Sequence, residues 1–167
     1  MDTITAIATR TSIRNFSGEE VSDPVIEKLL HAAMAAPSAM NAQPWEFVVV
    51  EDRDVLKKIA EHPALYASMT EKASVGILVC EDTEKSYKNF GAQDCAAATQ
   101  NLLLAAHSLE LGAVWTGIDD EQAKLFCDWF SLPAQIVPHI FVPIGIAAED
   151  PVPKKKFDPE KLHYESF

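Results

Sequence analysis

Apolar residues recur at helical spacing over positions 23–36, where Ile26, Leu29, Leu30, Ala33 and Met34 share one face. Asp23 is a good N-cap, and Pro24 takes a first-turn position where its missing N–H costs nothing. Pro37 ends the pattern, because proline disfavours helical backbone in the residue before it. A shorter helix is expected over 2–11, with Ile4, Ile7 and Ala8 on one side. Four short runs, Phe47–Val50, Val75–Cys80, Ala113–Ile118 and Ile140–Ile146, are rich in β-branched or aromatic residues and too continuous for half-exposed strands. Pro143 cannot donate to a ladder, so a bulge or an edge is expected there. Further helical stretches are expected near 52–61, 64–73 and 119–131. The longest, from about Gln93 to Leu111, is apolar on most sides through Ala96, Ala97, Ala98, Leu102, Leu103, Leu104, Ala105 and Ala106, so protein should wrap it on several faces. The pattern predicts an α+β or α/β layer protein with one helix through its middle or at a subunit interface. Beyond Ile146 the chain turns polar and proline-punctuated. That tail is expected either to stay disordered or to lie across another surface.

A chain of 167 residues suits one domain, since domains mostly run to ~100–200 residues. With 48% hydrophobic and 23% charged residues it is globular in composition and unlike a disordered chain. Lys and Arg number 14 against 25 Asp and Glu, a formal charge of −11. Such a surface repels phosphodiester backbones and anionic lipid, which argues against nucleic acid or a membrane as partner. Any phosphate the protein holds must therefore sit on a local cluster of cations. Cys80, Cys95 and Cys127 are odd in number and form no C-x-x-C pair, so neither a disulfide framework nor a structural zinc is expected. Met1-Asp2-Thr3-Ile4 lacks the basic and apolar regions of a signal peptide. No apolar run approaches the ~20 residues of a bilayer span. A cytoplasmic protein is the expectation.

Several site types are missing from the sequence: G-x-x-x-x-G-K-[ST], a helix-opening G-x-G-x-x-G, G-x-S-x-G and H-E-x-x-H. The five histidines share no metal-ligand spacing, so no metal is expected. Cys95, in the Ala-rich helix, reads as a buried inert thiol. Three features remain. Arg10 and Arg14 stand in i, i+4 relation with Ser12 between them and can enclose a phosphate, or form a solvated turn. Ala36-Pro37-Ser38-Ala39-Met40-Asn41-Ala42-Gln43-Pro44-Trp45 combines small residues, which leave backbone amides open to a flat ligand, with the donors and acceptors of Asn41 and Gln43; Trp45 itself reads as a core anchor. Lys154-Lys155-Lys156 is a basic run in an acidic chain, by itself a solvated face.

Taken together, Arg10-x-Ser12-x-Arg14-x-Phe16 and Ala36-Pro37-Ser38-Ala39-x-Asn41-x-Gln43-Pro44-Trp45 resemble the opening of the FMN-dependent nitroreductase family. Asn101–Ala106, Gly112 and Trp115-Thr116-Gly117-Ile118 resemble that family's central helix and following strand. Pro143-Ile144-Gly145, Pro153-Lys154-x-Lys156-Phe157 and His163-Tyr164 resemble its C-terminal signature. The resemblance spans nearly the whole chain. It implies an α+β fold with a mostly antiparallel sheet flanked by helices, a long central or interface helix, and an intertwined homodimer. Residues 1–167 would form one FMN-binding domain, with 148–167 crossing the partner subunit. Arg10, Ser12, Lys154 and Lys156 would hold the FMN phosphate, and Arg14 would lie near the pyrimidine edge. Pro37, Ser38 and Asn41 of a second subunit would cover the ring, while the backbone at Thr116-Gly117 would approach flavin N5. Thr11, Ala39 and Trp115 complete the implied cofactor-binding set. Lys156 departs from the family's usual arginine and supplies a point charge in place of a fork. Tyr66–Lys72, where relatives place an Asn and a Lys on the flavin, departs too, with Lys72 the one candidate.

The implied activity is oxidation of NADH or NADPH, with hydride passing to flavin N5 and on to a nitroaromatic, quinone or similar electron-poor acceptor. One face used in turn by both substrates implies ping-pong kinetics. No side chain is assigned as catalytic; a cation such as Arg14 would raise the flavin's reduction potential. The scaffold also hosts flavin fragmentation and reductive dehalogenation, whose enzymes add a lid that this chain has little room for. A non-catalytic flavin-binding dimer is the remaining alternative.

Overall fold

A computed structural model describes residues 1–150, 152–153 and 156–167. The strand runs pair antiparallel in the order β1 (Trp45–Val50), β2 (Val75–Asp82), β5 (Ile136–Ile146) and β3 (Leu111–Ala113), and β4 (Thr116–Gly117) also pairs with β5. Side chains of β2 alternate between two cores, as period-2 geometry requires. Val75, Ile77 and Val79 face α2 (Asp23–Met34) and α4 (Gly91–Ser108). Leu78 and Cys80 face Leu56 and Ile59 of α3 (Arg53–Glu61) and Phe126 of α5 (Asp120–Phe130). The sheet is thus sandwiched between two helical layers, in agreement with the α+β expectation. β1 is an edge strand, and its Phe47 and Val48 are half-buried, contrary to the fully buried strand its continuous apolar run predicts.

Pro143 lies in the middle of the sheet, opposite Gly76 of β2. The bulge falls earlier, where Val79 pairs with Ile140 and Cys80 with Pro138. On the other side of β5, β3 pairs with Ile144–Ile146 and β4 with Ile140 and Phe141, which leaves Val142 and Pro143 opposite a gap. That gap is where Val114 and Trp115 leave the ladder, so the expected strand 113–118 is two short ones and the proline's missing donor costs no bond.

Helix boundaries follow their caps. Ser22 is the N-cap of α2, which places Asp23 and Pro24 inside its first turn. Asp52 caps α3, and Asp119 forms a reciprocal box with Gln122 at α5. Of the helix expected over 64–73, only a 3-10 turn at Ser68–Lys72 forms, after a left-handed Tyr66 (φ 48). α4 buries Cys95, Ala98, Thr99, Leu102, Leu103 and Ala106 and packs on α2 and the sheet. α1 (Thr3–Thr9) packs on α4 through Ala6, while Ile4 and Ile7 are 75% and 51% exposed. The apolar side read from its spacing therefore faces away from this chain's own core. Among the described residues no helix is long and apolar enough to cross a membrane.

Candidate functional site

The Arg10–Phe16 segment is seated on the sheet by two apolar plugs three residues apart. Gly112 of β3 lies opposite Gly145 of β5, and the hollow left by these two residues receives Ile13 and Phe16. A Cβ on Gly112 would stand 2.6 Å from Ile13 Cγ2; one on Gly145 would stand 3.2 Å from Phe16 Cδ1. Backbone bonds fasten the segment further: Ile13 N–H donates to Ala113 O at 3.0 Å, Ser17 N–H to Ile146 O at 2.9 Å and Ala148 N–H to Asn15 O at 2.8 Å. With Ile13 and Phe16 turned inward, Thr11 and Ser12 are half-buried and Arg14 is exposed. A cavity of about 350 Å³ opens here between Thr11, Ser12, Arg14, Glu149, Asp150 and Val152. A neighbouring one of about 290 Å³ shares Arg14 and is lined by Ser68, Met69, Glu71 and Lys72.

The charges around these cavities are unevenly matched. Glu149 Oε1 accepts the amides of Arg14 (2.8 Å) and Asn15 (3.1 Å), a clamp that ties the N-terminal segment to the exit of β5. From the opposite end of the chain, Lys156 Nζ donates to Arg10 O at 3.0 Å. Among the described residues, Arg10, Arg14, Lys72 and Lys156 form no ion pair. Arg14 lines both cavities and Lys72 the second, while Arg10 and Lys156 meet beside the first; Glu149 and Asp150 also line the first and Glu71 the second. In a chain of net charge −11, cations left without an ion-pair partner suit an anionic ligand. Lys154 lies outside the described residues.

His107 of α4 stands behind this segment, with Nε2 2.8 Å from Thr9 Oγ1. The Thr9 hydroxyl already donates to Thr5 O at 2.7 Å, so its single proton is used and His107 must donate through Nε2. Desolvation, then the charge of Arg10, lowers the His107 pKa below its ordinary 6.5. Two of the three thiols, Cys80 and Cys95, are buried. Burial pushes Cys80 and Cys95 up to about 12, and Cys95 Sγ donates to Cys80 O at 3.3 Å. No group of three or more His, Cys, Asp or Glu among the described residues could hold a metal ion.

The second motif lies elsewhere. Pro37, Ser38, Ala39 and Asn41 form the connection from α2 to β1, and Ala39 N–H donates to Asp94 Oδ1 at 3.0 Å in the first turn of α4. Thr9 meets α4 at His107, thirteen residues further along, which at 1.5 Å per residue is about 20 Å. Within one chain, the two motifs therefore sit at opposite ends of the central helix. The loop is strained: Met40, Asn41 and Gln43 take φ of 53, 56 and 49. Left-handed backbone costs an L-residue roughly 1–2 kcal/mol, Asn less than most. Trp45 is buried in the core as expected. Trp115, Thr116 and Gly117 line neither cavity, and the Thr116 hydroxyl is bound to Phe141 O.

Glu149 lines the first cavity and Ser68 the second; the sequence singles out neither Glu149 nor, within Tyr66–Lys72, any residue but Lys72. A lone Glu in a polar tail and a Ser in a turn carry no local signature, and only a cross-chain register brings them to Arg14.

A profile of the nitroreductase family matches residues 7–73 and 60–146. A protein of Methanothermobacter thermautotrophicus, provisionally named an NADH dehydrogenase/NAD(P)H nitroreductase, is 44% identical over 171 residues, covering 100% of this chain and 88% of its own. The crystal structure of a Parabacteroides distasonis protein with the same provisional name superposes with a TM-score of 0.93 at 38% identity, over 99% of this chain and 98% of that one. A provisionally named nitroreductase from Desulfovibrio desulfuricans, solved in complex with FMN, superposes at 0.85 with 34% identity, over 100% and 99% of the two chains. On sequence and on fold alike, the chain belongs to the nitroreductase family.

Proposed function

We propose that this protein is an FMN-dependent NAD(P)H oxidoreductase that works as a homodimer. The observation that carries the reading is that Lys156, from the far end of a strongly acidic chain, bonds Arg10 O next to the Thr11–Arg14 segment that lines the first cavity, and that Arg10, Arg14 and Lys156 form no ion pair among the described residues. That donor set fits a phosphomonoester joined to a planar heterocycle. Arg10, Ser12 and Lys156 would grip the phosphate through charge-assisted hydrogen bonds. Arg14, shared by both cavities, would face the pyrimidine edge, with Lys72 a second cation on the same side. Bound there, FMN supplies hydride transfer from NADH or NADPH to an electron-poor acceptor such as a nitroaromatic or quinone, with both reactants using one face in turn. A fixed cation at Arg14 favours the more negative reduced form and raises the potential.

The separation of the two motifs along α4 supports the dimer. Ser38 and Asn41 reach the concavity only if a second copy brings its own α2–β1 connection there. The uncovered Ile4 and Ile7 of α1, and a groove between Ala6, Ala32, Ala35 and Leu104, offer apolar surface for that copy. The decisive experiment is to purify the protein, titrate it with FMN, and follow NADH and NADPH oxidation with and without an added nitroaromatic or quinone. Saturable FMN binding and acceptor-dependent turnover are expected. A protein that takes up no FMN ends the reading, and one that binds FMN without oxidising either nucleotide is a flavin carrier.

A further inference from the structure

Asp94 is a buried carboxylate with no part in the cation cluster. It is 6% exposed, in the first turn of α4. Oδ1 accepts the amide of Ala39, while Oδ2 is buried and has no partner among the described residues. Burying a carboxylate on a single hydrogen bond is unfavourable unless something else is gained, although the positive end of the helix dipole offsets part of the cost. The group it holds belongs to the loop that joins α2 to β1. Met40 is 78% exposed, Asn41 and Gln43 are exposed, and all three residues are in the left-handed region. Within the loop, Ser38 Oγ accepts Gln43 N–H at 2.9 Å, Ser38 O accepts Asn41 N–H at 3.0 Å and Ala39 O accepts Ala42 N–H at 3.0 Å. Those bonds all lie inside the loop, whereas Asp94 Oδ1 ties it to the first turn of α4.

We propose that Asp94 is a positioning residue that locks the Ser38–Gln43 loop in its strained form, so that the loop arrives pre-shaped at the flavin site of the second subunit. The assignment rests on the FMN dimer proposed above. It places control of the cofactor's cover about 20 Å from the phosphate grip of the same chain. Cofactor affinity and ring environment then depend on a residue that touches no part of the flavin.

The test compares wild type, Asp94→Asn, Asp94→Ala and Asp94→Ala with Met40→Gly, each as the full-length protein. FMN titration gives the affinity, and circular dichroism in the flavin's visible band reports how the ring is covered. Asp94→Ala is expected to weaken FMN binding about tenfold or more, the scale of a lost hydrogen bond to a charged group, and to alter the visible dichroism. Asp94→Asn keeps an oxygen acceptor and should stay within about threefold of wild type. Met40→Gly relieves a left-handed φ at an exposed position and should recover part of the loss. Wild-type affinity and dichroism in Asp94→Ala overturn the proposal, as does an Asn variant no better than Ala. Should Asp94→Ala fail to fold, Asp94→Leu fills the same volume without an acceptor, and an unchanged affinity there overturns it equally. A wild-type protein that binds no FMN removes the flavin reading together with the role given to Asp94, whereas normal wild-type binding with indifferent variants removes the role alone.

Discussion

Gly112→Ala adds one methyl group beneath the cofactor segment without altering any residue proposed to touch FMN. The new Cβ would stand 2.6 Å from Ile13 Cγ2 and 3.1 Å from Ile13 Cβ, with Phe16 Cε1 at 3.2 Å on the other side. Carbon atoms in good contact keep about 3.5–4.0 Å apart, so Ile13 must retreat by about 1 Å. It has little room to do so. Its χ1 is stiff because the side chain branches at Cβ, Phe16 is fully buried, and its own N–H is bound to Ala113 O. Overpacking of this kind costs about 1–3 kcal/mol, which for a chain this size lowers the melting temperature by about 2–12 °C. Ile13 lies between Ser12 and Arg14, so the same shift displaces both. Binding sites need geometry held to about 0.5 Å, and FMN affinity should fall about tenfold. Thermal melts of the flavin-free protein, paired with FMN titration, measure both effects. Gly117→Ala serves as the stability control, because nothing lies within 4 Å of a Cβ there. A Gly112→Ala protein with wild-type melting refutes the packing argument. One that melts early but binds FMN normally refutes the link between the glycine floor and the site.

Arg10→Ala should weaken FMN binding about tenfold or more by removing a charge-assisted contact, while the melting temperature of the flavin-free protein stays unchanged; an undiminished affinity would remove Arg10 from the phosphate grip. Truncation before Pro151 should cost both bound flavin and the dimer, read by absorbance and analytical ultracentrifugation, and a truncated protein that stays yellow and dimeric contradicts the crossing tail. His107 has a folded pKa lowered from 6.5, first by desolvation and then by Arg10. The unfolded chain therefore takes up the proton more readily, so this group's stabilisation is present above pH 6.5 and is lost as pH falls through the folded value. Melting temperatures of the flavin-free protein between pH 5 and 8 should show that slope, and His107→Gln should flatten it while keeping a donor for Thr9; a slope identical in the variant assigns the effect elsewhere.

Elements held together by contacts within a few residues were legible from the chain alone. Helix α2 announces itself by apolar spacing, α3 and α5 lie near their expected bounds, and α4 shows small and apolar residues on nearly every face. Trp45 as a core anchor and Cys95 as a buried thiol follow from composition and neighbours in the same way. The family resemblance added the sheet's antiparallel character and the residues of the proposed site. What the sequence could not decide were matters of partners distant along the chain. Pro143 is tolerated in the middle of the sheet because β3 and β4 leave a gap beside it, and Ile4 and Ile7 stay uncovered because α1 meets α4 through Ala6 and Thr9 on its other side. Glu149 reaches the amides of Arg14 and Asn15 through the pairing of Phe16 with Ala147. The rigid length of α4 holds the two motifs about 20 Å apart. Periodicity and caps are local energetics and can be read in order; register, gaps and distances across the molecule arise only when strands far apart in sequence are packed side by side.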